Sequence, residues 1–129
     1  TVILDICPIN DNGNLFDAGA LAALAALQDA KFPVYENGKI DYKKKTDKNI
    51  PLNSIPISIT VLKIGDTFIV DPDNEEEKII DARLTVASKK DGTICALQKG
   101  GDVPFTFQDV DTIIKIALDK AKELRAYIE

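Results

Sequence analysis

Two segments in which apolar and polar side chains alternate constrain the fold more than any other feature. Residues 55–64 and 79–89 each place an apolar side chain at nearly every second position. Because successive side chains of a strand point to opposite faces of a sheet, the pattern predicts two half-buried strands. On the second strand the predicted core face consists of Ile80, Ala82, Leu84 and Val86. The opposite face carries Asp81, Arg83 and Thr85.

Turn sequences after these two segments predict hairpins. Gly65-Asp66 leads from the first segment into a strand over 67–70, and Asp91-Gly92 leads from the second into a strand over 93–98. Residues 71–77, between the hairpins, contain five carboxylates. Their spacing does not match an EF-hand loop, so we interpret them as a solvated acidic connection.

Two other segments have the composition of helices. Residues 18–30 contain seven Ala, with Leu at every third position from 21 to 27, which predicts a helix that begins near Asp17 and ends before Pro33. The last helix begins at Thr106, where residues 106–109 resemble a capping box with Asp in place of Glu. One apolar stripe follows this helix to Ile128.

The remaining segments complete the predicted topology. Residues 2–9 are apolar and β-branched, which predicts a buried strand before a turn at 10–14. Residues 37–53 combine Asn-Gly, the run Lys43-Lys44-Lys45 and Pro51, and we interpret them as an exposed connection with one short strand near 39–42. The predicted fold is α+β: one domain over 1–129, with a mostly antiparallel sheet covered by two helices. Since the sequence has no Met and starts inside a predicted strand, we expect it to be part of a longer protein.

Charge and residue usage exclude several function classes. Sixteen Lys and Arg against 21 Asp and Glu give a net charge of −5, which argues against a free-standing protein that binds nucleic acid by charge alone. The absence of His excludes Ser-His-Asp, Cys-His and His-ligated zinc chemistry within this chain. Cys7 and Cys95 lie in apolar runs without CxxC spacing, so we expect reduced thiols in the core rather than a disulfide. No apolar run is long enough for a membrane span, and we expect a soluble chain.

Three short motifs are candidates for ligand contact. Asn12-Gly13-Asn14 precedes a helix, and free N–H groups at a helix start attract anions, although Asp11 and Asp17 oppose this. Lys43, Lys44 and Lys45 form the basic cluster, which is either a solvated loop or a nucleic-acid contact. Residues 98–101, with Lys99, are either a backbone approach to a ligand or a connection into the last helix.

Several motifs, in this order, resemble the RNase PH-like proteins. They are Asp5-Ile6, residues 12–18, the Ala/Leu helix at 21–27, Val70-Asp71-Pro72 with Glu75–Glu77, residues 81–86 and residues 98–101. More narrowly, the chain resembles the C-terminal half of the non-catalytic RNase PH-like subunit of the archaeal exosome and of its eukaryotic ring relatives. The resemblance implies a half of the RNase PH-like fold, which is similar to ribosomal protein S5 domain 2.

The chain departs from the catalytic pattern of this family at two places. Phosphorolytic members carry a Gly-(Ser/Thr)-Arg triplet that binds the attacking phosphate, where this chain has Gly13-Asn14-Leu15. They also carry an Asp two residues after an acidic residue, whereas this chain keeps Asp81 and has Arg83 at the second position. An arginine cannot act as a base or ligate Mg²⁺, though it can hold phosphate. The resemblance therefore implies degenerate active-site positions at Asn14, Leu15, Asp81 and Arg83, with no catalytic residue, metal or cofactor.

The resemblance implies a non-catalytic, structural and RNA-facing subunit of a 3′→5′ RNA-degrading exosome. Such a subunit pairs with a catalytic RNase PH-like partner in a hexameric hetero-oligomeric ring. It is expected to contact RNA as part of this assembly and to have no membrane partner. Its expected location is the cytoplasm, and also the nucleus if the protein is eukaryotic. The residues expected to face RNA or phosphate are Asn14, Lys43, Lys44, Lys45, Arg83 and Lys99. Two alternatives stay open. One is a divergent phosphorolytic exoribonuclease in which Asp81 or Asp5 supplies the acid, and the other is an unrelated small α+β binding module.

Overall fold

The computed structural model describes residues 1–128, and these form two antiparallel sheets and three helices. In chain order the elements are α1 (Leu15–Asp29), β1 (Lys31–Glu36), β2 (Lys39–Asn49), β3 (Ile57–Ile64), β4 (Thr67–Val70), α2 (Asn74–Glu77), β5 (Ala82–Ser88), β6 (Ile94–Gly100) and α3 (Phe107–Arg125). Strands β1 and β2 pair with each other, and the other four strands form a sheet in the order β4-β3-β5-β6. The predicted α+β class is confirmed.

The two alternating segments form the centre of the four-stranded sheet. β3 and β5 pair antiparallel, with Thr60 opposite Thr85 and Leu62 opposite Arg83. Along β5 the buried and partly exposed side chains alternate as predicted, so that Arg83 and Thr85 lie on the face opposite Leu84. The buried core joins β3, β5 and α3 through Ile57, Ile59, Val61, Leu84, Val86, Ile113, Ala117 and Ala121. The alanines of α3 allow close packing of the helix on the sheet.

Both long helices begin at the capping residues that local chemistry favours. The capping box of α3 is present: Thr106 Oγ1 accepts from Asp109 N–H, and Asp109 Oδ2 accepts from Thr106 N–H. α1 begins at Leu15, slightly before the predicted start, because the Asn14 side chain accepts from the first free N–H groups of the helix. Its Leu21 and Leu24 pack against the core from beside β3.

The interpretation of residues 37–53 as a connection with one short strand is wrong. β1 and β2 form a hairpin whose two-residue turn, Asn37-Gly38, has positive φ at both positions (53° and 76°). This is the backbone that a type I′ hairpin turn requires, and Asn and Gly adopt it most readily. The hairpin is nevertheless exposed, as expected.

The predicted buried strand at residues 2–9 is also wrong, since the segment is exposed and forms no strand. A β-branched apolar sequence favours extended backbone, but a strand also needs a neighbour for its N–H and C=O groups. The thiols of Cys7 and Cys95 are free, as expected, but both are exposed rather than in the core. Cys95 lies on β6, an edge strand of the four-stranded sheet.

The acidic connection at residues 71–77 is largely exposed and contains the one-turn helix α2. Asp73 caps it, and Glu76 bonds back to the N–H of Asp73, so these carboxylates are satisfied locally. Within residues 1–128, no helix combines the length and the apolar character needed to cross a lipid bilayer.

Candidate functional site

The N-terminus of α1 meets the face of the sheet that points away from the α3 core. Phe16, in the first turn of α1, lies against Arg83 of β5, with 5.0 Å between the guanidinium carbon and the ring centroid. The side-chain oxygen of Asn14 accepts from the N–H groups of Phe16 (3.0 Å) and Asp17 (3.2 Å). The structure therefore brings Asn14 and Arg83, two of the predicted site residues, close together through Phe16.

The backbone N–H of Asn14, which the sequence suggested as a donor to a bound anion, already donates to a carboxylate of the same chain. The N–H of Asn14 donates to Oδ1 of Asp71 at 2.9 Å. Gly13 precedes it with a φ of 84°, and a Cβ at this residue would lie 2.7 Å from the same oxygen. Only glycine therefore allows Asp71 to approach this turn.

A second carboxylate, that of Asp17, joins α1 to β3. The N–H of Thr60 donates to Asp17 Oδ2 at 2.6 Å, and the Thr60 hydroxyl donates to Asp17 Oδ1 at 2.9 Å. The Thr60 N–H needs this partner because β4 ends at Val70, opposite the next residue of β3. The hydroxyl oxygens of Thr60 and Thr85 lie 2.8 Å apart, so the network continues to β5.

Burial raises the pKa of Asp17 above its ordinary value. The two hydrogen bonds from Thr60 oppose this rise in pKa, while the charge of Asp71 adds to it. The start of α1 thus holds two carboxylates, both of which already accept backbone hydrogen bonds. This is an unfavourable environment for a further anion at the same backbone groups.

Arg83 is positioned between an aromatic ring and a glycine. Phe16 lies over its guanidinium group, and Gly100 lies opposite it on β6. A Cβ at Gly100 would lie 2.9 Å from Arg83 Nε, so glycine leaves the space that the arginine side chain occupies. A guanidinium group in this position can hold a phosphate but cannot take up a proton.

The other degenerate positions lie apart from this contact. Asp81 Oδ2 accepts from the N–H of Gly65 at 2.7 Å, so Asp81 stabilises the β3–β4 turn. Leu15 is the exposed first residue of α1. Asp5, which the enzyme alternative invoked, is exposed in the segment that forms no strand.

The lysine candidates belong to two other places. Lys43, Lys44 and Lys45 lie on β2, in the separate hairpin sheet. Lys99 lies on β6, where its ammonium group donates to Gly101 O at 2.6 Å and lies 5.7 Å from the ring centroid of Phe105. The structure therefore does not assemble all of the predicted RNA-facing residues into one site.

Four residues of this site were not predicted: Phe16, Thr60, Asp71 and Thr85. The alternation in residues 55–64 and 79–89 indicated which face the two threonines occupy, but not that Asp17 bonds Thr60. Asp17 itself was considered only as a charge opposing an anion. Asp71 precedes Pro72 and has a φ of 58°. An Asp-Pro sequence at the end of a strand was the available signal that Asp71 lies in a turn.

The fold and the site together define a class of α+β domain. A helix lies beside an antiparallel sheet, and its first turn contacts Arg83 and Thr60, which in turn bonds Thr85. A family model described as "3' exoribonuclease family, domain 2" matches residues 54–120, just over half of the chain. The chain belongs to this family.

Curated relatives agree with this assignment over nearly the whole chain. The exosome complex component Rrp42 of Thermoplasma acidophilum is 44% identical over 124 residues, which are 96% of this chain and 45% of the relative. The exosome complex component Rrp42 of Methanothermobacter thermautotrophicus is 38% identical over 130 residues, covering 99% of this chain and 48% of the relative. The chain therefore spans about half the length of the relatives it matches.

Solved structures show the same fold. A structure described as the Archaeoglobus fulgidus exosome with RNA bound to the active site has a TM-score of 0.80 at 33% identity, covering 94% of this chain and 46% of that one. An archaeal exosome core has a TM-score of 0.80 at 34% identity, covering 93% and 47%. The resemblance to the RNase PH-like exosome subunits is confirmed.

Proposed function

We propose that this chain is the C-terminal half of a non-catalytic RNase PH-like subunit in a 3′→5′ RNA-degrading exosome ring. In this proposal it supports a catalytic RNase PH-like partner, and RNA is bound by the assembly, in the cytoplasm. The identity of 34–44% to several archaeal Rrp42 components supports the exosome assignment. The observation that carries the non-catalytic role is Arg83, at the position where the family pattern has an acid.

The hydrogen bonds of the nearby carboxylates support this role. Asp17 accepts twice from Thr60, Asp71 accepts from the Asn14 N–H, and Asp81 accepts from the Gly65 N–H. A general base must have an accessible lone pair within hydrogen-bond reach of the reacting proton. Each of these carboxylates serves a structural contact, and Asp17 accepts through both of its oxygens.

The turn before α1, which binds the attacking phosphate in the catalytic pattern, also differs in this chain. In this proposal Asn14 replaces a hydroxyl residue and Leu15 replaces an arginine of the catalytic pattern. The Asn14 side chain caps α1, and Leu15 offers neither charge nor hydrogen bond. The turn therefore lacks the side chains that hold phosphate in that pattern.

The test is phosphate-dependent release of nucleoside diphosphates from a labelled oligoadenylate. The full-length protein alone should release none, and Arg83→Asp alone should not restore release, since the phosphate-binding triplet is also absent. Mixing with the catalytic partner should give both a ring by size-exclusion chromatography and release. Omitting phosphate is the matched control.

Two results would overturn the proposal. Phosphate-dependent release by the lone protein that Asp81→Ala abolishes would identify the divergent exoribonuclease. Failure to form any complex with the catalytic partner would instead favour the unrelated binding module.

A further inference from the structure

The β1–β2 hairpin concentrates positive charge in an acidic chain. Residues 31–49 contain six lysines against three acidic residues, a net charge of +3 in a chain whose net charge is −5. The hairpin forms a sheet of its own, separate from the four-stranded sheet. The hairpin is therefore a segment whose charge favours a polyanion, as are residues 82–100, whose net charge is also +3.

The hairpin carries two exposed aromatic rings. Tyr35 pairs with Ile40 across the two strands, so these two side chains lie on one face, and Tyr42 follows two residues further along β2, at the start of the unpaired residues 42–44. Tyr35 is 69% exposed and Tyr42 is 79% exposed. Two rings of this size present flat apolar surfaces to solvent.

A bulge places lysines beside these rings. Val34 pairs with Asp41 and Pro33 pairs with Lys45, so three residues of β2, 42–44, have no opposite residue on β1. Pro33 has no N–H to donate, which explains the interruption of the ladder at this point. Tyr42 is followed directly by Lys43 and Lys44, and all three lie in this unpaired segment.

Hydrogen bonds fix the bulge and the base of the hairpin. Asp41 Oδ1 accepts from the Lys43 N–H at 3.0 Å, and Asp41 Oδ2 lies 3.8 Å from the Lys44 ammonium group. At the base, Asn49 Nδ2 donates to Gln28 O at 3.0 Å, which attaches β2 to the end of α1. The backbone beside Tyr42 and the base of the hairpin are thus each held by a local hydrogen bond.

We propose that the exposed surface of the hairpin around Tyr35, Tyr42 and the adjoining Lys43 and Lys44 binds single-stranded RNA. Bases stack on the tyrosines while the two ammonium groups contact the phosphates, a combination that binds single strands with little sequence preference. The inference rests on the proposed function for the identity of the nucleic acid. Lysine is depleted in protein–protein interfaces, so the charge of this surface favours a polyanion over a protein partner.

The test is fluorescence anisotropy of a labelled 12-nucleotide oligoadenylate with the full-length protein, alone and in the assembled ring. Replacing Lys43 and Lys44 by Ala should weaken binding about tenfold and reduce the slope of log affinity against log salt by roughly 1.4, or about 0.7 per lost phosphate contact. Replacing Lys115 and Lys122 of α3 by Ala removes the same charge and is the matched control. It should change binding less than twofold.

The tyrosines distinguish stacking from a general apolar contact. Tyr42→Leu keeps an apolar side chain but removes the ring, and should weaken binding about tenfold, whereas Tyr42→Phe should bind like the wild type. Thermal unfolding of each variant shows that the fold is intact.

Three outcomes would overturn the proposal. The first is that the α3 control loses as much RNA affinity as the hairpin variant, because the effect would then come from long-range charge and not from contacts of the hairpin. Tyr42→Leu can bind RNA like the wild type, which excludes stacking. Tyr42→Leu can also bind RNA normally while Tyr42→Glu prevents ring assembly, which makes the surface a protein interface. Failure of the protein to join the ring would refute the proposed function. It would leave this inference testable, because RNA binding by the lone protein is a separate measurement.

Discussion

Asp17→Ala should destabilise the protein by about 2–3 kcal/mol because it removes the acceptor of the Thr60 N–H. Thr60 is fully buried, so water cannot readily replace the lost partner. An orphaned buried N–H costs about 1–3 kcal/mol, and loss of the hydroxyl bond adds about 0.5–1.5 kcal/mol. The Thr60 hydroxyl still has Thr85 within reach, which keeps the second contribution small. Burial of the Asp17 charge, which raises the pKa of the carboxyl, offsets part of the loss.

Asp17→Asn separates the hydrogen bonds from the charge. The amide oxygen can accept from the Thr60 N–H, and the amide nitrogen can donate to the Thr60 hydroxyl, which can then donate to Thr85. The variant should therefore lie within about 1 kcal/mol of the wild type at neutral pH. Because the pKa of Asp17 is raised in the folded protein, the stability of the wild type relative to this variant should fall as pH rises through that pKa.

Urea unfolding of the three proteins provides the measurement, with the midpoint and the slope fitted together. Asp119→Ala removes an exposed carboxylate of α3 and should change the stability by no more than about 0.5 kcal/mol. If Asp17→Asn were as unstable as Asp17→Ala, the contribution of Asp17 to the free energy of unfolding would come from its charge rather than from its hydrogen-bond acceptor. If Asp17→Ala matched the Asp119 control, the Thr60 bonds would contribute nothing, and the reasoning would be refuted.

Two further predictions concern stability. Gly13→Ala should lower the urea midpoint more than Gly38→Ala. Both residues have positive φ, but only at Gly13 would the new Cβ meet a carboxylate oxygen, 2.7 Å away. Equal decreases in the midpoint would show that backbone strain alone destabilises both variants. The bond from Lys63 lowers the pKa of Asp109, whose side chain is only 14% exposed, so the stability of the wild type relative to Asp109→Asn should fall as pH drops through that pKa. A relative stability that did not change with pH would contradict the role of the Lys63 bond.

The parts of the fold that could be predicted are those in which one face is buried. β5 alternates strictly because Leu84 packs on α3 while Arg83 does not, and a shift of one residue would exchange the two faces. The capping box at Thr106 is equally local, since its partners are three residues apart. Patterns over a few residues therefore carried both predictions.

The hairpin was missed because neither of its faces packs on the core. β2 is mostly exposed along its length, so no alternation of apolar and polar residues distinguishes it from a loop. Asn37-Gly38 was a strong turn signal without alternating strands on either side. Conversely, the apolar composition of residues 2–9 favoured a buried strand, yet composition does not supply the neighbour that a strand requires.

The site could be predicted only in part because its contacts join distant parts of the chain. Asn14 and Asp71 are 57 residues apart, and Asp17 and Thr60 are 43 apart. The alternation indicated that Arg83 and Thr85 leave the core, and the resemblance drew attention to Asn14. Neither indicated that α1 would lie beyond the end of β4, where the unpaired N–H of Thr60 needs an acceptor.

The contact between Asp71 and Asn14 bears on whether a free phosphate ion can bind at the start of α1. A phosphate arriving at the Asn14 N–H must displace a carboxylate that is part of the same chain, and a tethered competitor acts at a high effective concentration. It must also approach Asp17, whose ionised form is already disfavoured by burial. Arg83, beside Phe16, can still attract a phosphate group. In the proposed function, this arrangement favours binding of an RNA backbone over activation of a free phosphate ion.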